Sequence, residues 1–259
     1  MNSELIKSVV GELLAENLNT IEYYFEVYEE LSAERESLHQ EIIQSILSRR
    51  RYSRENRIFM LGGAPANGKS SFLNSGVVAY PKDALKIGPD EIKGLIPEYR
   101  YMTGIDLPNA AELVHEESSN IARELRQIAI QEGYDIILDG VANDVLEKRL
   151  EDLELLRLNA HTIRMDYITL DTKLSVRLAE ERYKKTGRQV PEWYILEKNR
   201  MIAKLVPQLI DNNAFDELYL WDTNVENCPR LILTQKNGKL AIKDIALYSN
   251  FKKKAYETW

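Results

Sequence analysis

The sequence predicts an α/β fold in which helices flank a parallel β-sheet, with a helical extension before the sheet and a β-hairpin after it. From residue 58 onward, short apolar runs alternate with helical stretches, which is typical of βαβ crossovers. Residues 1–56 contain no proline and carry apolar residues at helical spacing. Near the end of the chain, Asn237-Gly238 joins two alternating runs, which is a strong hairpin signal.

The predicted elements follow in chain order. Strands are expected at 58–61, 84–87, 135–138, 161–170 and 217–221, with helices from about residue 69 and across roughly 108–132, 144–159, 173–186 and 192–211. The basic, polar stretch SRRRYSREN at 48–56 is the candidate boundary. The sequence therefore predicts an N-terminal helical segment, residues 1–56, and a second domain, residues 57–259, with its core at about 57–225.

The composition of the chain argues against several classes of protein. The net charge of −7 at pH 7 argues against nonspecific nucleic-acid binding, which needs a basic face. No apolar run approaches the ~20 residues of a membrane span, and the acidic start of the chain is typical of an amphipathic helix rather than a signal peptide. The single cysteine, Cys228, cannot form an internal disulfide. We expect a cytoplasmic protein without membrane contact.

The stretch GAPANGKS, residues 63–70, fits the pattern G-x-x-x-x-G-K-S/T. An apolar strand precedes it, and the helix-compatible SSFLNSG follows. Such a loop surrounds a phosphate with backbone N–H groups, while Lys69 reaches the β- and γ-phosphates and the Ser70 hydroxyl binds Mg²⁺. A P-loop NTPase or kinase-like fold that binds ATP or GTP is expected, with ATP and Mg²⁺ preferred. The predicted nucleotide-binding residues are Gly63, Ala64, Pro65, Ala66, Asn67, Gly68, Lys69, Ser70 and Ser71.

Two acidic residues follow predicted strands. Asp139 ends the run DIILD, beside the loop, where it could hold Mg²⁺ or its waters, bind substrate, or simply begin a turn before Gly140. Asp90 lies just past the strand 84–87, one strand over from the loop. A kinase needs a carboxylate there to orient or deprotonate the acceptor hydroxyl. Asp90 also suits the N-cap of the helix EIKGLI, and the two roles are compatible.

A basic segment, LSVRLAEERYKKTGRQVP, runs from a helix into a glycine turn. Arg182 and Arg188 flank Gly187, so they are candidates for a lid that neutralises a transferring phosphoryl group. The alternative is a solvated helix face that pairs with nearby glutamates. Glu116, in the stretch HEESS, is a candidate for the wall of the acceptor pocket, although a polar helix surface is the preferred interpretation.

Taken in order, GGAPANGKSS, IGPDEIKGLIPEY, ILDG and EERYKKTGR resemble the zeta toxin family of P-loop kinases over about residues 57–225. The resemblance implies a kinase fold and Mg²⁺-dependent transfer of the ATP γ-phosphoryl to a small-molecule hydroxyl. Well-known members phosphorylate UDP-N-acetylglucosamine. Carried over, the matching positions are Lys69 and Ser70 for nucleotide and Mg²⁺, Asp90 for the acceptor hydroxyl, Asp139 near substrate, and Arg182 and Arg188 near the γ-phosphate.

Two stretches depart from the family pattern. Gly88-Pro89-Asp90 stands where members often carry D-x-D, and residues 140–143 stand where many carry G-T-G-R. The second lies near substrate in the family, so a nucleoside, an antibiotic or a polynucleotide end remains an alternative acceptor. An alternative of another class is a nucleotide-binding switch that works through its N-terminal helices.

The resemblance also implies a form of regulation. A separate small helical antitoxin silences zeta toxins by blocking the ATP site, and some relatives carry an inhibitory helical segment in the same chain. Residues 1–50 are a candidate for such a segment. The favoured interpretation is a structural extension that packs on the kinase core.

Overall fold

The computed structural model of the chain describes residues 3–140, 145–186, 190–225 and 228–257. Its strands are β1 (Arg57–Gly62), β2 (Leu85–Ile87), β3 (Ile136–Asp139), β4 (Thr162–Thr169), β5 (Glu217–Asp222), β6 (Arg230–Lys236) and β7 (Lys239–Ile242). They form one sheet in the order β2-β3-β1-β4-β5-β6-β7. Strand β1 is parallel to β3 and β4, and β4 is parallel to β5, which confirms the predicted α/β fold with a largely parallel sheet.

The helices lie between and around these strands. They are α1 (Ser3–Glu16), α2 (Ser32–Ser48), α3 (Lys69–Asn74), α4 (Pro89–Lys93), α5 (Pro97–Gly104), α6 (Ala110–Leu113), α7 (His115–Gln131), α8 (Leu146–Arg157), α9 (Thr172–Thr186), α10 (Glu192–Asp211) and α11 (Ile245–Lys253). A π-helical segment (Glu22–Val27) and a 3₁₀ turn (Glu29–Leu31) join α1 to α2, and a 3₁₀ turn (Lys254–Tyr256) follows α11. Within the described ranges, no helix has both the length and the apolar character needed to cross a bilayer.

The predicted C-terminal hairpin is confirmed. Strands β6 and β7 pair antiparallel, with Lys236 opposite Lys239. The two residues between them have left-handed φ angles, 46° at Asn237 and 75° at Gly238. Asparagine and glycine are the residues that adopt this conformation most readily, so the local sequence sets the turn.

Two predicted details are wrong. Strand β2 is the edge strand of the sheet, and β3 lies between it and β1, so β2 is two strands from β1, the strand that leads into the phosphate loop, rather than one. The predicted helix over 108–132 is two helices, α6 and α7. Val114, between them, has φ −112° and ψ 8°, which is outside the helical range and ends α6.

Contacts between Cα atoms group the chain into two compact units. The helical unit comprises residues 1–51 and 87–128, and the sheet unit comprises residues 52–86 and the chain from 129 onward. The N-terminal helices therefore share a unit with α4, α5, α6 and most of α7. The boundary after residue 56 stays a prediction about domain organisation.

One part of the core of the sheet unit lies where α3 packs on the sheet. Leu61, Phe72, Ile168, Tyr219 and Trp221 form one buried cluster there. Phe72 of α3 is buried in this cluster, with its ring 5.3 Å from that of Trp221, and Leu73 packs against it. This packing fixes the short helix that begins directly after the phosphate loop.

A buried ion cluster, defined here as Arg35, Glu98, Glu117, His39 and Tyr24, lies inside the helical unit. The Arg35 guanidinium donates to both Glu98 oxygens at 2.9 Å and to the Glu117 oxygens at 2.5 and 2.8 Å. His39 lies 2.7 Å from Glu117, and the Tyr24 hydroxyl donates to Glu98 at 2.6 Å. The cluster ties α2 and the π-helical segment to α5 and α7.

The charges in this cluster depend on one another because they are out of water. Arg35 is only 2% exposed, and Glu98 and Glu117 are fully buried. Burial on its own would raise the pKa of Glu117, but hydrogen bonds from His39 and Arg35 and the charge of Arg35 outweigh it and lower the pKa to about 2. The Arg35 guanidinium is thus the cation that the two carboxylates share.

Replacing Arg35 tests this dependence. Arg35→Ala leaves two buried carboxylates without their cation, so we expect the free energy of unfolding to fall by about 3–5 kcal/mol. Urea unfolding followed by circular dichroism measures it. Arg177→Ala is the matched control: it removes an arginine whose ion pair with Glu181 is exposed and 3.8 Å long, and it should cost less than about 1 kcal/mol. Equal losses in the two variants would show that the cluster does not stabilise the fold.

Candidate active site

The loop between β1 and α3 has the backbone of a phosphate-binding loop. Gly68 has φ 81° and ψ 22°, and Ala66 has φ 60°, so both occupy the left-handed region. The N–H of Asn67 donates to the carbonyl of Ala64 at 3.2 Å, which closes a tight turn inside the loop. The N–H of Phe72 bonds to the carbonyl of Gly68 at 2.8 Å and begins α3. The first amides of a helix have no partner within it, and such amides commonly bind phosphate.

Gly63 is required because of a close approach. A Cβ atom at this position would lie 2.8 Å from the carbonyl oxygen of Ile168 on β4. That oxygen is backbone and cannot move aside as a flexible side chain could. The first glycine of the motif therefore lets the loop lie against the end of β4.

Lys69 and Ser70 occupy the predicted positions at the start of α3. The Lys69 ammonium donates to the carbonyl of Gly63 at 2.8 Å and contacts that of Ala64 at 3.4 Å, so it spans its own loop. Ser70 and Ser71 are exposed in the first turn of α3. An ammonium, a hydroxyl and helix-start amides together are a suitable donor set for a triphosphate.

Asp139 ends β3 directly beside β1. It pairs in register with Leu61, two residues before Gly63, and the N–H of Gly140 donates to the Leu61 carbonyl at 3.1 Å. Its negative charge also contributes to the raised pKa of Tyr80, after burial and the neighbouring Asp166. The Ser70 hydroxyl and this carboxylate are hard oxygen ligands of the kind that Mg²⁺ prefers. Among the described residues there is no group of three or more His, Cys, Asp or Glu that could hold a metal, and Mg²⁺ at phosphate sites commonly needs only one or two carboxylates.

Asn67 has a role that the sequence motif does not reveal. Its side chain is buried, and its amide nitrogen donates to the Ile168 carbonyl at 3.3 Å and to the Asn199 side-chain oxygen at 3.2 Å. The Ser175 hydroxyl donates to its side-chain oxygen at 2.6 Å. The Thr223 hydroxyl lies 2.9 Å from its backbone carbonyl. One loop residue thus contacts β4, α9, α10 and the end of β5.

Two of the residues predicted to bind the acceptor, Asp90 and Glu116, belong to the helical unit. Asp90 lies within the first turn of α4, whose N-cap is Gly88, so the expected N-cap role is wrong. Its carboxylate accepts a hydrogen bond from the buried ammonium of Lys93 at 3.0 Å and is itself 58% exposed. Glu116 is exposed in the first turn of α7, as a polar helix surface would be. The roles of both residues stay predictions.

The two predicted arginines differ in what the structure shows. Arg182 lies on α9, near its C-terminal end, and its side chain is exposed. Arg188 lies outside the described residues. The sheet unit therefore brings together the loop residues, Lys69, Ser70, Asp139 and the helix that carries Arg182.

Comparison with known families identifies the family to which this chain belongs. The family model described as zeta toxin matches residues 43–228, which is more than half of the chain. The chain belongs to the zeta toxin family. It is accordingly a kinase-type P-loop phosphotransferase, and ATP is the phosphoryl donor that this kinase-like fold supports. No curated protein matches the chain significantly.

Solved structures agree with zeta toxin membership at the level of the fold. The crystal structure of AvrRxo1-ORF1:-ORF2 with ATP is 15% identical, with a TM-score of 0.62 over 85% of this chain and 73% of that one. A structure of the same complex with sulphate ions gives a TM-score of 0.65 at 15% identity, over 85% and 72% of the two chains. The PezAT toxin–antitoxin system of Streptococcus pneumoniae gives 0.60 at 14% identity, over 76% and 79%.

The close approach at Gly63 yields a prediction. Gly63→Ala should weaken ATP binding by about tenfold or more, since a strain of roughly 1.4 kcal/mol in the bound loop corresponds to that factor. Isothermal titration with ATP and Mg²⁺ measures it. Gly11→Ala is the control: nothing lies within 4 Å of its added Cβ, and alanine favours a helix interior. Unchanged ATP affinity in Gly63→Ala would contradict the need for glycine there.

Proposed function

We propose that the chain transfers the γ-phosphoryl group of ATP to a hydroxyl of a small molecule, with UDP-N-acetylglucosamine as the first candidate. The observation that carries the proposal is the phosphate loop, in which Lys69 spans the carbonyl groups of Gly63 and Ala64 at the start of α3. The choice of acceptor rests on zeta toxin membership. A nucleoside, an antibiotic or a polynucleotide end is an alternative outcome of the same assay.

The loop residues would bind and orient the donor. The backbone amides of residues 63–71 would hold the phosphates, and Lys69 would exchange its loop carbonyls for β- and γ-phosphate oxygens. Ser70 and Asp139 would hold Mg²⁺, which shields phosphate charge when bound. Holding the triphosphate rigidly matters because phosphoryl transfer depends mostly on positioning and charge stabilisation.

The acceptor side would use carboxylates. Asp90 would orient the acceptor hydroxyl and take its proton at a carboxylate oxygen, since general bases of this kind serve in kinases. Lys93 holds one of its oxygens at 3.0 Å, which fixes the carboxylate while more than half of it stays exposed. Asp139 and Glu116 would contact the acceptor. Arg182, together with Arg188, would neutralise the charge that develops on the γ-phosphoryl group.

A protein partner is part of the proposal. PezAT is a toxin–antitoxin system, so we propose that a small helical antitoxin binds this chain and restrains it. ATP and a sugar nucleotide would meet the chain in the cytoplasm. The net charge of −7 leaves nucleic acid as an unfavoured partner.

The N-terminal helices would serve as a structural extension rather than as a detachable inhibitor. Support comes from the ion cluster, in which Arg35 of α2 is the shared cation of Glu98 and Glu117. Release of residues 1–50 would remove Arg35, His39 and Tyr24 together, so both carboxylates would lose their shared cation and these hydrogen bonds, at a large cost. Their grouping with residues 87–128 in one unit points the same way.

Phosphoryl transfer is the direct test. With γ-labelled ATP, Mg²⁺ and UDP-N-acetylglucosamine, the wild-type chain should label the sugar nucleotide. Lys69→Ala and Asp90→Asn should each lower the rate by about a hundredfold or more, because one loses transition-state charge stabilisation and the other the hydroxyl base.

Matched variants control for loss of charge alone. Lys204→Ala and Asp106→Asn remove an exposed cation and an exposed anion elsewhere and should leave the rate unchanged. Label on another acceptor of the panel would keep the kinase and reject the sugar nucleotide. The kinase proposal would be rejected, in favour of a nucleotide-binding switch, by tight ATP binding without any labelled acceptor, together with an Asp90→Asn variant that functions as the wild type does.

The role of the N-terminal helices is tested with the full chain. Arg35→Ala loosens the attachment of α2. If the helices are structural, the transfer rate should stay equal or fall as stability falls; if they inhibit, the rate should rise. The comparison is made at a temperature where both proteins remain folded. An increase above about threefold, in Arg35→Ala or in a soluble 51–259 fragment, would identify residues 1–50 as inhibitory.

A further inference from the structure

Asn67 is the loop residue with the widest set of contacts in the sheet unit. Its side chain is 2% exposed, and its nitrogen and oxygen are both hydrogen-bonded. The motif requires no particular residue at this position. A buried polar side chain whose nitrogen and oxygen are both hydrogen-bonded is costly to replace, which indicates a specific task.

The orientation of the Asn67 amide is fixed by its neighbours. On α10, the nitrogen of Asn199 donates to the Ile195 carbonyl at 3.0 Å, so its oxygen is the atom left to accept from Asn67. The Asn67 nitrogen must also face the Ile168 carbonyl, which can only accept. Its oxygen consequently faces the Ser175 hydroxyl on α9 at 2.6 Å. Asn67 therefore bonds to both α9 and α10.

Ser175 and Arg182 lie on the same face of α9. They are seven residues apart, which at about 3.6 residues per turn returns to nearly the same direction two turns on. The intervening residue on that row, Ala179, is buried, as are Ser175 and the preceding Thr172. The row thus starts at the phosphate loop and ends in the exposed Arg182, roughly 10 Å further along the axis.

We propose that Asn67 is a positioning residue that fixes α9, and with it Arg182, on the phosphate loop. The inference rests on the proposed function, because it takes Arg182 to act at the γ-phosphate. Asn67 directly precedes Gly68 and Lys69, so the backbone that binds phosphate and the helix that carries the arginine share one hydrogen-bonded residue. Losing the contact would leave the nucleotide site intact but the arginine displaced.

The test measures how well the protein distinguishes a triphosphate from a diphosphate. Affinities for ADP and for a non-hydrolysable ATP analogue, both with Mg²⁺, are determined by isothermal titration for wild type, Ser175→Ala, Arg182→Ala and the double variant. The ratio of the two affinities reports contacts to the γ-phosphate and needs no acceptor. We expect Arg182→Ala to lower the ratio by about tenfold and Ser175→Ala to lower it by at least about threefold.

The decisive result is the double variant. If Ser175 acts by holding Arg182, its removal should change the ratio no further once Arg182 is gone, whereas independent effects would multiply. ADP affinity should stay within about twofold in Ser175→Ala, because the loop itself is not altered. Multiplying effects, or a ratio in Ser175→Ala equal to that of wild type, would overturn the inference.

Controls separate positioning from a general loss of stability. Ser118→Ala removes a fully buried hydroxyl whose hydrogen bond stays within its own helix, so it should lower the melting temperature as Ser175→Ala does but keep the ratio. Arg177→Ala removes an exposed arginine from another face of α9 and should also keep the ratio. A fall in the ratio in Ser118→Ala as large as in Ser175→Ala would overturn the inference.

Two further outcomes keep the proposals distinguishable. If Ser175→Ala does not fold, Asn67→Ala is measured instead, and its ratio should fall to that of Arg182→Ala; a wild-type ratio would overturn the inference. A wild-type protein that binds both nucleotides equally would overturn the role of Arg182 and this inference together. Failure to label any acceptor, with the ratios as expected, would reject the proposed function and support the positioning role.

Discussion

The arrangement around the phosphate loop depends on the last two carbonyl groups of β4 and on that of Leu170, which directly follows the strand. The carbonyls of Ile168, Thr169 and Leu170 each need a hydrogen bond because they are buried, and an unpaired carbonyl there is costly. Asn67 donates to the first at 3.3 Å and the backbone of Thr223 to the second at 3.0 Å. The third accepts from Lys254, whose pKa burial lowers to about 8. The loop, the end of β5 and the C-terminal turn thus meet at one strand end.

The Ile168 carbonyl has a second consequence. It is the atom that a Cβ at Gly63 would approach to 2.8 Å, so the same oxygen that binds Asn67 also demands glycine at the start of the loop. Two positions of the motif are therefore explained by one backbone group on the neighbouring strand. The loop is shaped by the sheet against which it lies as much as by its own sequence.

Local signals in the sequence were enough to predict much of the fold and the phosphate loop. The loop, the strands and the Asn237-Gly238 turn depend on residues adjacent in the chain, and periodicity reports these well. The contacts of Asn67 with Ser175 and Asn199 could not be predicted, because they join residues more than a hundred positions apart. The edge position of β2 and the break at Val114 could not be predicted for a related reason. The spacing of apolar residues does not encode strand order or a single non-helical φ angle.

The ion cluster bears on how such a chain can be regulated. A segment that relieves inhibition by detaching must leave behind groups that are stable without it, yet Glu98 and Glu117 take their cation and hydrogen bonds from α2 and the π-helical segment. Arg35 also contacts the Tyr24 ring at 4.1 Å, so α2 and the π-helical segment are held together at the same point. Detachment would therefore require the helical unit to open rather than one helix to swing away. That is a cost typical of unfolding rather than of a switch.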